Sequence, residues 1–214
     1  MNATGTPTHE LQRLWDARYE AGEDETWPAE PDAVVIETVR GLTPGLAFDL
    51  GAGDGRNAAW LIDQGWRVVA VDVSEVALSR LRARTLGETH EMVTIHADLR
   101  DWRAPAGIAD LVVLSFVHVP RPERAGLLRG AVATLRPGGT LVFIAHERRN
   151  LLHGVGGPQD PELLPTQTEI RASLTAAGLD LSRCELVRRK VGDNDRAALD
   201  LVAVGTRTPV PASG

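Results

Sequence analysis

The chain has 214 residues, of which 43% are hydrophobic and 24% are charged, and its formal net charge at pH 7 is -6. This composition is typical of a globular protein with a full core, and the acidic balance argues against nucleic acid as the main partner, because phosphate binding relies on a surplus of Lys and Arg. Cys184 is the only cysteine, so an intramolecular disulfide and a cysteine-based metal cluster are excluded.

The N-terminus and the hydropathy of the chain indicate its compartment. Residues 1-8 lack the charged and apolar regions of a signal peptide, and the longest apolar stretch, Leu111 to Val119, is too short to cross a bilayer. We therefore expect a cytoplasmic protein with no membrane partner. Disorder is expected only at residues 1-8 and 208-214.

Strands alternate with amphipathic helices along the chain, a pattern typical of a parallel sheet covered by helices on both faces. The patterns predict helices near 9-20, 31-41, 56-64, 74-86, 121-136 and 167-177, and strands near 46-50, 67-72, 91-96, 110-116 and 139-145. Two further strand-like runs, 183-191 and 197-206, are joined by a connection too short for a helix. They must therefore pair antiparallel or lie beside a strand inserted between them.

A glycine-rich turn follows the first predicted strand and opens the next helix. Gly51, Gly53 and Gly55 alternate with other residues, and Asp49 stands two residues ahead of them. Such a turn lets the backbone approach a ligand closely, while the N–H groups of the following helix face that ligand. The dinucleotide-binding fingerprint would need glycine at position 56, which is Arg56 here. A purely structural strand-to-helix turn is the alternative.

The next two predicted strands each end in an acidic residue. Asp72 ends the second strand, where its carboxylate can accept hydrogen bonds from both ribose hydroxyls of a nucleoside. Asp98 follows the third strand in the same way. A turn or capping carboxylate at Asp72 and a solvated turn residue at Asp98 are the structural alternatives.

The glycine spacing with these acids resembles motif I and its surroundings in class I S-adenosylmethionine-dependent methyltransferases. The resemblance implies an α/β fold, with a doubly wound, mostly parallel, seven-stranded Rossmann-like sheet that has an antiparallel C-terminal strand. It implies S-adenosylmethionine as the cofactor, with its ribose on Asp72, its methionine end over residues 51-55 and its adenine between Val73, Asp98 and Leu99. The residues so assigned to the cofactor, apart from N-terminal aromatic side chains, are Asp49, Gly51, Gly53, Asn57, Asp72, Val73, Asp98, Leu99 and Ser115.

The segment Trp15 to Tyr19, with Trp27 and the loop sequence Gly-Asp-Gly-Arg-Asn, is similar to the tellurite-resistance and thiopurine-type small-molecule methyltransferases. In those families an N-terminal helix lies across the cofactor and its aromatic residues contact it. The resemblance thus implies one methyltransferase domain over residues 9-207, with lid helices in 9-45 and a substrate-side loop in 146-166. A core stripe is the alternative for Trp15 and Tyr19, and a structural linker is the alternative for the loop.

The fourth predicted strand narrows the acceptor class. It ends in Ser115, Phe116, Val117 and His118, not in the Asn-Pro-Pro-Tyr run of many amine and amide methyltransferases. It offers no nucleophilic cysteine, and no acid pair for a divalent metal stands near it, so we expect no metal site. A small-molecule acceptor methylated on O, S or N, in an aromatic or heterocyclic compound, fits best.

His118 and His146 follow the fourth and fifth strands and are the candidate bases, with packing or hydrogen-bonding roles as the alternative. Three other functions stay open: a chalcogen (tellurite or selenite) methyltransferase, a non-catalytic S-adenosylmethionine-binding protein, and a nicotinamide-dependent oxidoreductase. Arg56 and the terminal hairpin disfavour the last of these.

Overall fold

A seven-stranded sheet with strand order β3-β2-β1-β4-β5-β7-β6 organises the fold. The computed structural model describes residues 6–22, 28–85, 91–192 and 196–209. The helices are α1 (Thr8–Glu20), α2 (Ala33–Val39), α3 (Arg56–Asp63), α4 (Glu75–Arg84), α5 (Arg121–Thr134), α6 (Asn150–His153) and α7 (Gln167–Ala176). The strands are β1 (Leu46–Leu50), β2 (Arg67–Asp72), β3 (Met92–His96), β4 (Ala109–Ser115), β5 (Leu135–His146), β6 (Leu179–Lys190) and β7 (Ala197–Arg207).

The chain divides into two units, and the first comprises the described residues up to 103 together with 109–113. Its strands β1, β2 and β3 pair in parallel, with Asp49 opposite Ala70 and Asp72 opposite His96. β-branched residues dominate β2 and β3, whereas β1 is apolar apart from Asp49. β1 and β2 are largely buried, and β3 at the edge of the sheet is partly exposed, with Val93 56% exposed. Ser74 begins α4 by accepting a hydrogen bond from the backbone N–H of Ala77 at 3.1 Å.

The second unit comprises residues 104–108 and the described residues from 114 onward. Here β7 is antiparallel to both β5 and β6 and lies between them. The core of this unit is apolar along β5 and β7, where Leu141 and Leu201 have no exposed surface. Thr166 begins α7 by accepting from the N–H of Glu169, as expected from the Thr-x-x-Glu pattern.

The predicted sheet class, with an antiparallel strand near the C-terminus, is confirmed. Most predicted boundaries lie within two residues of those observed, and larger differences occur in the second unit. α5 ends at Thr134 and β5 begins directly at Leu135, β6 begins at Leu179, and the 146-166 segment contains the short helix α6. Within the described residues, no helix has the length and apolar character needed to cross a membrane.

Candidate active site

The glycine loop of the first unit is held against the end of β2 by backbone hydrogen bonds. The N–H groups of Gly51 and Ala52 donate to the carbonyl of Val71, at 2.8 and 3.1 Å. Gly51, Gly53 and Gly55 all have left-handed φ angles, of 77°, 57° and 88°. Only glycine adopts this conformation at little cost, which explains the three glycines predicted to form the turn.

Asp72 lies at the rim of this loop and is bound to it. Its Oδ2 accepts from the N–H of Gly53 and its Oδ1 accepts from the N–H of Ser74, both at 2.8 Å. Burial raises the pKa of Asp72, against the lowering effect of these two hydrogen bonds. The backbone N–H of Val73 is a third donor to this carboxylate, which therefore makes three turn contacts. A carboxylate has about four lone-pair sites, so it keeps acceptor capacity for a ligand hydroxyl.

Asp49 is buried beneath the loop, with 1% of its surface exposed. The backbone N–H of Ala58 bonds its carboxylate, but Oδ2 has no hydrogen-bond partner among the described residues. Burial raises the pKa of Asp49 to about 7; Arg56 opposes this shift, and Asp32 and Asp72 add to it. An unpartnered buried carboxylate oxygen is costly, and a cationic ligand group would satisfy it.

Asn57 is buried, but its amide is bonded to the N-terminus of α2. Its Oδ1 accepts from the backbone N–H of Asp32 at 2.9 Å, and its Nδ2 donates to the Asp32 carboxylate at 3.3 Å. Arg56 donates to the same carboxylate at 3.0 Å. In this arrangement Asn57 fixes the start of α3 against the start of α2.

The Asp98 carboxylate is heavily hydrogen-bonded by other protein groups. Arg100 donates to it through Nε and one terminal nitrogen, at 2.6 to 3.0 Å, and Thr8 Oγ1 donates at 3.0 Å. Burial alone would raise the pKa of Asp98, but the hydrogen bonds from Arg100 and Thr8 lower it overall. A contact with an adenine amino group would therefore compete with Thr8. Leu99 beside it is buried, and Val73 is half-buried.

Helix α1 packs on the loop through Tyr19, which is 5% exposed. A Cβ atom on Gly53 would collide with the Tyr19 hydroxyl. Trp15 is half-buried, and the guanidinium of Arg18 lies 4.6 Å from its ring centroid. Trp27 lies outside the described residues. Tyr19 is thus the predicted aromatic residue that the structure brings to the loop.

A polar contact missed by sequence reasoning anchors α1. The Asp16 carboxylate accepts from Ser74 Oγ at 2.6 Å and from the backbone N–H of Val76 at 3.2 Å. Arg80 donates to the backbone carbonyl of Tyr19 at 2.6 Å. Asp16 stands between Trp15 and Tyr19 in the sequence, but nothing local shows that it would bond the first turn of α4.

In the second unit, both candidate histidines belong to one aromatic cluster. The rings of His118 and His146 are stacked, 5.5 Å apart and 10° from parallel, and the Phe116 ring lies 5.1 Å from His146. Phe116 has a left-handed φ of 55°, a strained conformation for a bulky residue. Ser115, just before it, is half-buried. The structure stacks the two candidate histidines on each other, and His146 is the last residue of β5 and does not follow it.

The residues of the first unit fit the cofactor that the glycine loop implies. The unpartnered Oδ2 of Asp49 is suited to the ammonium of a methionine group, and Asp72 is suited to ribose hydroxyls. Gly53 and Gly55 let Tyr19 and Leu81 pack directly on the loop backbone, because an added Cβ at either glycine would collide with these side chains.

Comparison with known proteins agrees with this geometry. Residues 47–139 match the methyltransferase domain family. Trans-aconitate 2-methyltransferase of Sinorhizobium fredii (strain NBRC 101917 / NGR234) is 35% identical over 127 residues, which cover 58% of this chain and 47% of that enzyme. The chain therefore matches about half the length of this relative.

Solved structures show the same fold at low sequence identity. Burkholderia thailandensis 1,6-didemethyltoxoflavin-N1-methyltransferase, solved with 1,6-didemethyltoxoflavin and S-adenosylhomocysteine, superposes with a TM-score of 0.72 and 20% identity, over 98% of this chain and 94% of that one. TehB of Haemophilus influenzae gives a TM-score of 0.70 and 16% identity, over 83% of this chain and 62% of that one. Residues 47–139 carry the match to the methyltransferase domain family, and the chain has the fold of the class I S-adenosylmethionine-dependent methyltransferases.

Proposed function

We propose that this protein transfers a methyl group from S-adenosylmethionine to O, S or N of a small aromatic or heterocyclic acceptor. The observation that carries the proposal is the buried, unpartnered carboxylate oxygen of Asp49 beneath a glycine loop whose rim holds Asp72. Support for a small acceptor comes from relatives whose names specify trans-aconitate and 1,6-didemethyltoxoflavin.

Three residues of the first unit would each bind a different part of the cofactor. Asp49 would accept from the ammonium group, Asp72 would accept from the ribose hydroxyls, and Leu99 would pack on the adenine. When bound, S-adenosylmethionine supplies an electrophilic methyl group, and transfer of that methyl group leaves S-adenosylhomocysteine. Tyr19 on α1 would exclude water from the loop, which strengthens the electrostatic contacts made there.

Binding is tested by calorimetry with S-adenosylmethionine, S-adenosylhomocysteine and NADH. We expect micromolar or tighter binding of the first two and none of NADH. Asp72→Ala should weaken S-adenosylmethionine binding by roughly thirtyfold to a hundredfold, because it removes charge-assisted hydrogen bonds worth about 2 to 3 kcal/mol. Asp63→Ala, at the exposed end of α3, is the matched control. Binding of NADH alone would overturn the proposal.

Turnover is tested by release of S-adenosylhomocysteine with a panel of phenols, hydroxyquinolines, thiols, heterocyclic amines and chalcogen oxyanions. Release with aromatic or heterocyclic compounds supports the proposal. Release with tellurite or selenite alone would favour the chalcogen methyltransferase instead. Tight cofactor binding without release from any acceptor would favour a non-catalytic binding protein.

A further inference from the structure

His146 and Asp200 are directly opposite each other in the antiparallel pair β5 and β7. Their side chains therefore share one face of the sheet. Nδ1 of His146 lies 2.9 Å from Oδ1 of Asp200, and the two side chains are 10% and 3% exposed. The geometry is that of a close electrostatic contact and not of an aligned hydrogen bond. A carboxylate at this distance stabilises positive charge on the imidazole.

The other oxygen of Asp200 is bound by Arg189. Nε of Arg189 donates to Oδ2 of Asp200 at 2.6 Å, and the Arg189 guanidinium lies 5.2 Å from the centroid of the Phe116 ring. Arg189 is the diagonal neighbour of Asp200 across the β6–β7 pair, since Arg189 stands opposite Ala198. Asp200 thus forms an ion pair with Arg189 through one oxygen and faces the His146 imidazole with the other.

His118 is held neutral beside His146. Its ring forms a hydrogen bond with the backbone of Phe116, and its Nε2 accepts from the backbone N–H of His146 at 3.3 Å. Burial lowers the pKa of His118 to about 3, with further lowering by His146 and Arg124. Because its Nε2 lone pair is in use, His118 is a poor base, and its stacked ring fixes the plane of His146.

Nε2 of His146 is the ring nitrogen of this cluster that can accept a proton from an acceptor. Among the described residues no side chain or backbone group hydrogen-bonds this atom, whereas Nδ1 faces Asp200. The segment after α6 passes beside that edge of the ring at Gly157, where an added Cβ would be 2.9 Å from Nε2 of His146. Two ion pairs of the same unit flank this region of the sequence: Glu147 with Arg149 at 3.2 Å, and Arg124 with Glu169 at 2.6 Å.

We propose that His146 is the general base for an acceptor methylated on a phenolic or similarly acidic hydroxyl, and that Asp200 is its positioning residue. This inference rests on the proposed methyl transfer. The O–H bond of the acceptor breaks, and its proton goes to Nε2. An electron pair of the acceptor oxygen forms the bond to the methyl carbon while the bond between that carbon and the sulfonium sulfur of S-adenosylmethionine breaks. The electron pair of the broken bond stays on sulfur, and S-adenosylhomocysteine is the leaving group. His146 then returns the proton to solvent, so one proton is released for each methyl group transferred. A soft anion such as a thiolate would need no such base.

The test compares 8-hydroxyquinoline with thiophenol, which is largely ionised at neutral pH. His146→Gln should lower kcat for 8-hydroxyquinoline by about a hundredfold, leave the thiophenol rate within a few-fold, and leave S-adenosylmethionine affinity unchanged. His9→Gln, on the exposed side of α1, is the matched control. Equal losses on both acceptors, or methylation of thiophenol alone, would overturn the inference while the proposed function stands. A protein that binds no S-adenosylmethionine would overturn both.

The role of Asp200 is tested by the split between kcat and KM. Asp200→Asn keeps the size of the side chain but removes its charge, so it should lower kcat for 8-hydroxyquinoline roughly tenfold, while KM for this acceptor and the thiophenol rate stay within a few-fold. Asp180→Asn, exposed on β6, should leave all three values unchanged. An unchanged kcat for 8-hydroxyquinoline in Asp200→Asn, or equal losses on both acceptors, would contradict the positioning role.

Discussion

The hydroxyl of Tyr19 occupies the space into which a Cβ on Gly53 would project. Helix α1 therefore lies directly against the glycine loop, and the fit requires glycine for two reasons. The first is the left-handed φ of 57° at Gly53, and the second is the contact with Tyr19. The losses of stability caused by the left-handed φ and by the contact with Tyr19 can be separated by experiment.

We predict that Gly53→Ala destabilises the protein more than Gly107→Ala does. Gly107 also has a left-handed φ, of 74°, but a Cβ there would meet nothing within 4 Å. The shared backbone cost is about 1 to 2 kcal/mol, and overpacking against Tyr19 adds roughly 1 to 3 kcal/mol at Gly53. Urea unfolding measures both losses. Tyr19→Phe should recover part of the Gly53→Ala loss, and equal losses in the two alanine variants would contradict the packing of α1 on the loop.

Asp16 gives a second prediction about α1. Burial acts to raise the pKa of Asp16, but the hydrogen bonds from Ser74 and Val76 outweigh it and lower the pKa. A depressed carboxyl pKa contributes stability that is present above the unfolded value of 3.8 and is lost as pH falls through the folded pKa. Asp16→Asn should therefore increase hydrogen exchange in α1 at pH 7 and lower S-adenosylmethionine affinity several-fold. Asp101→Asn, at an exposed position, is the control.

Asp49 should change the stability of the protein with pH in the opposite direction to Asp16. Its folded pKa of about 7 lies above the ordinary carboxyl value of 3.8, so between these values the folded chain holds a proton that the unfolded chain has released. The contribution of Asp49 to the free energy of unfolding therefore falls as pH rises from about 4 to 7. Between pH 5 and pH 8, the free energy of unfolding of Asp49→Asn should rise by roughly 1 to 3 kcal/mol relative to that of the wild type. A pH-independent difference in urea unfolding would contradict the shift.

Cofactor binding should be linked to the same proton. A cation bound at Asp49 favours the ionised carboxylate, so S-adenosylmethionine binding near pH 6.5 should release protons from wild type. Calorimetry in two buffers of different ionisation enthalpy measures this release. Asp49→Asn should abolish it and weaken binding, and the same proton release in wild type and variant would place the cation elsewhere.

Local patterns in the sequence predicted the parallel half of the fold well. The runs Leu46–Leu50 and Arg67–Asp72 are strands because β-branched and apolar residues fill both covered faces. The end of α5 was less predictable, because Pro137 and Gly138 indicate a later stop. Helix α5 ends at Thr134, where Arg207 donates to the carbonyls of Ala133 and Leu135. That cation comes from the far end of the chain, so no local signal shows it.

The candidate site was predictable to a similar degree. The glycine loop and its rim acids follow from spacing within one strand-turn-helix unit. The His146–Asp200 contact depends on the register of β5 against β7, which joins segments far apart in the sequence. The hydrogen bonds from Arg100 and Thr8 to Asp98 likewise depend on where α1 begins. Composition and spacing do not determine either arrangement.

The last prediction concerns the loop beside His146. Gly156 and Gly157 have left-handed φ angles of 72° and 76°, so alanine costs about 1 to 2 kcal/mol in backbone energy at either position. A Cβ at Gly156 would meet nothing within 4 Å, whereas one at Gly157 would collide with Cδ2 of His146. Gly157→Ala should therefore displace the imidazole and lower kcat for a hydroxyl acceptor at least tenfold more than Gly156→Ala does. Cofactor affinity, measured by calorimetry, should be the same in both variants. Equal kcat values in the two variants would show that the loop does not constrain His146.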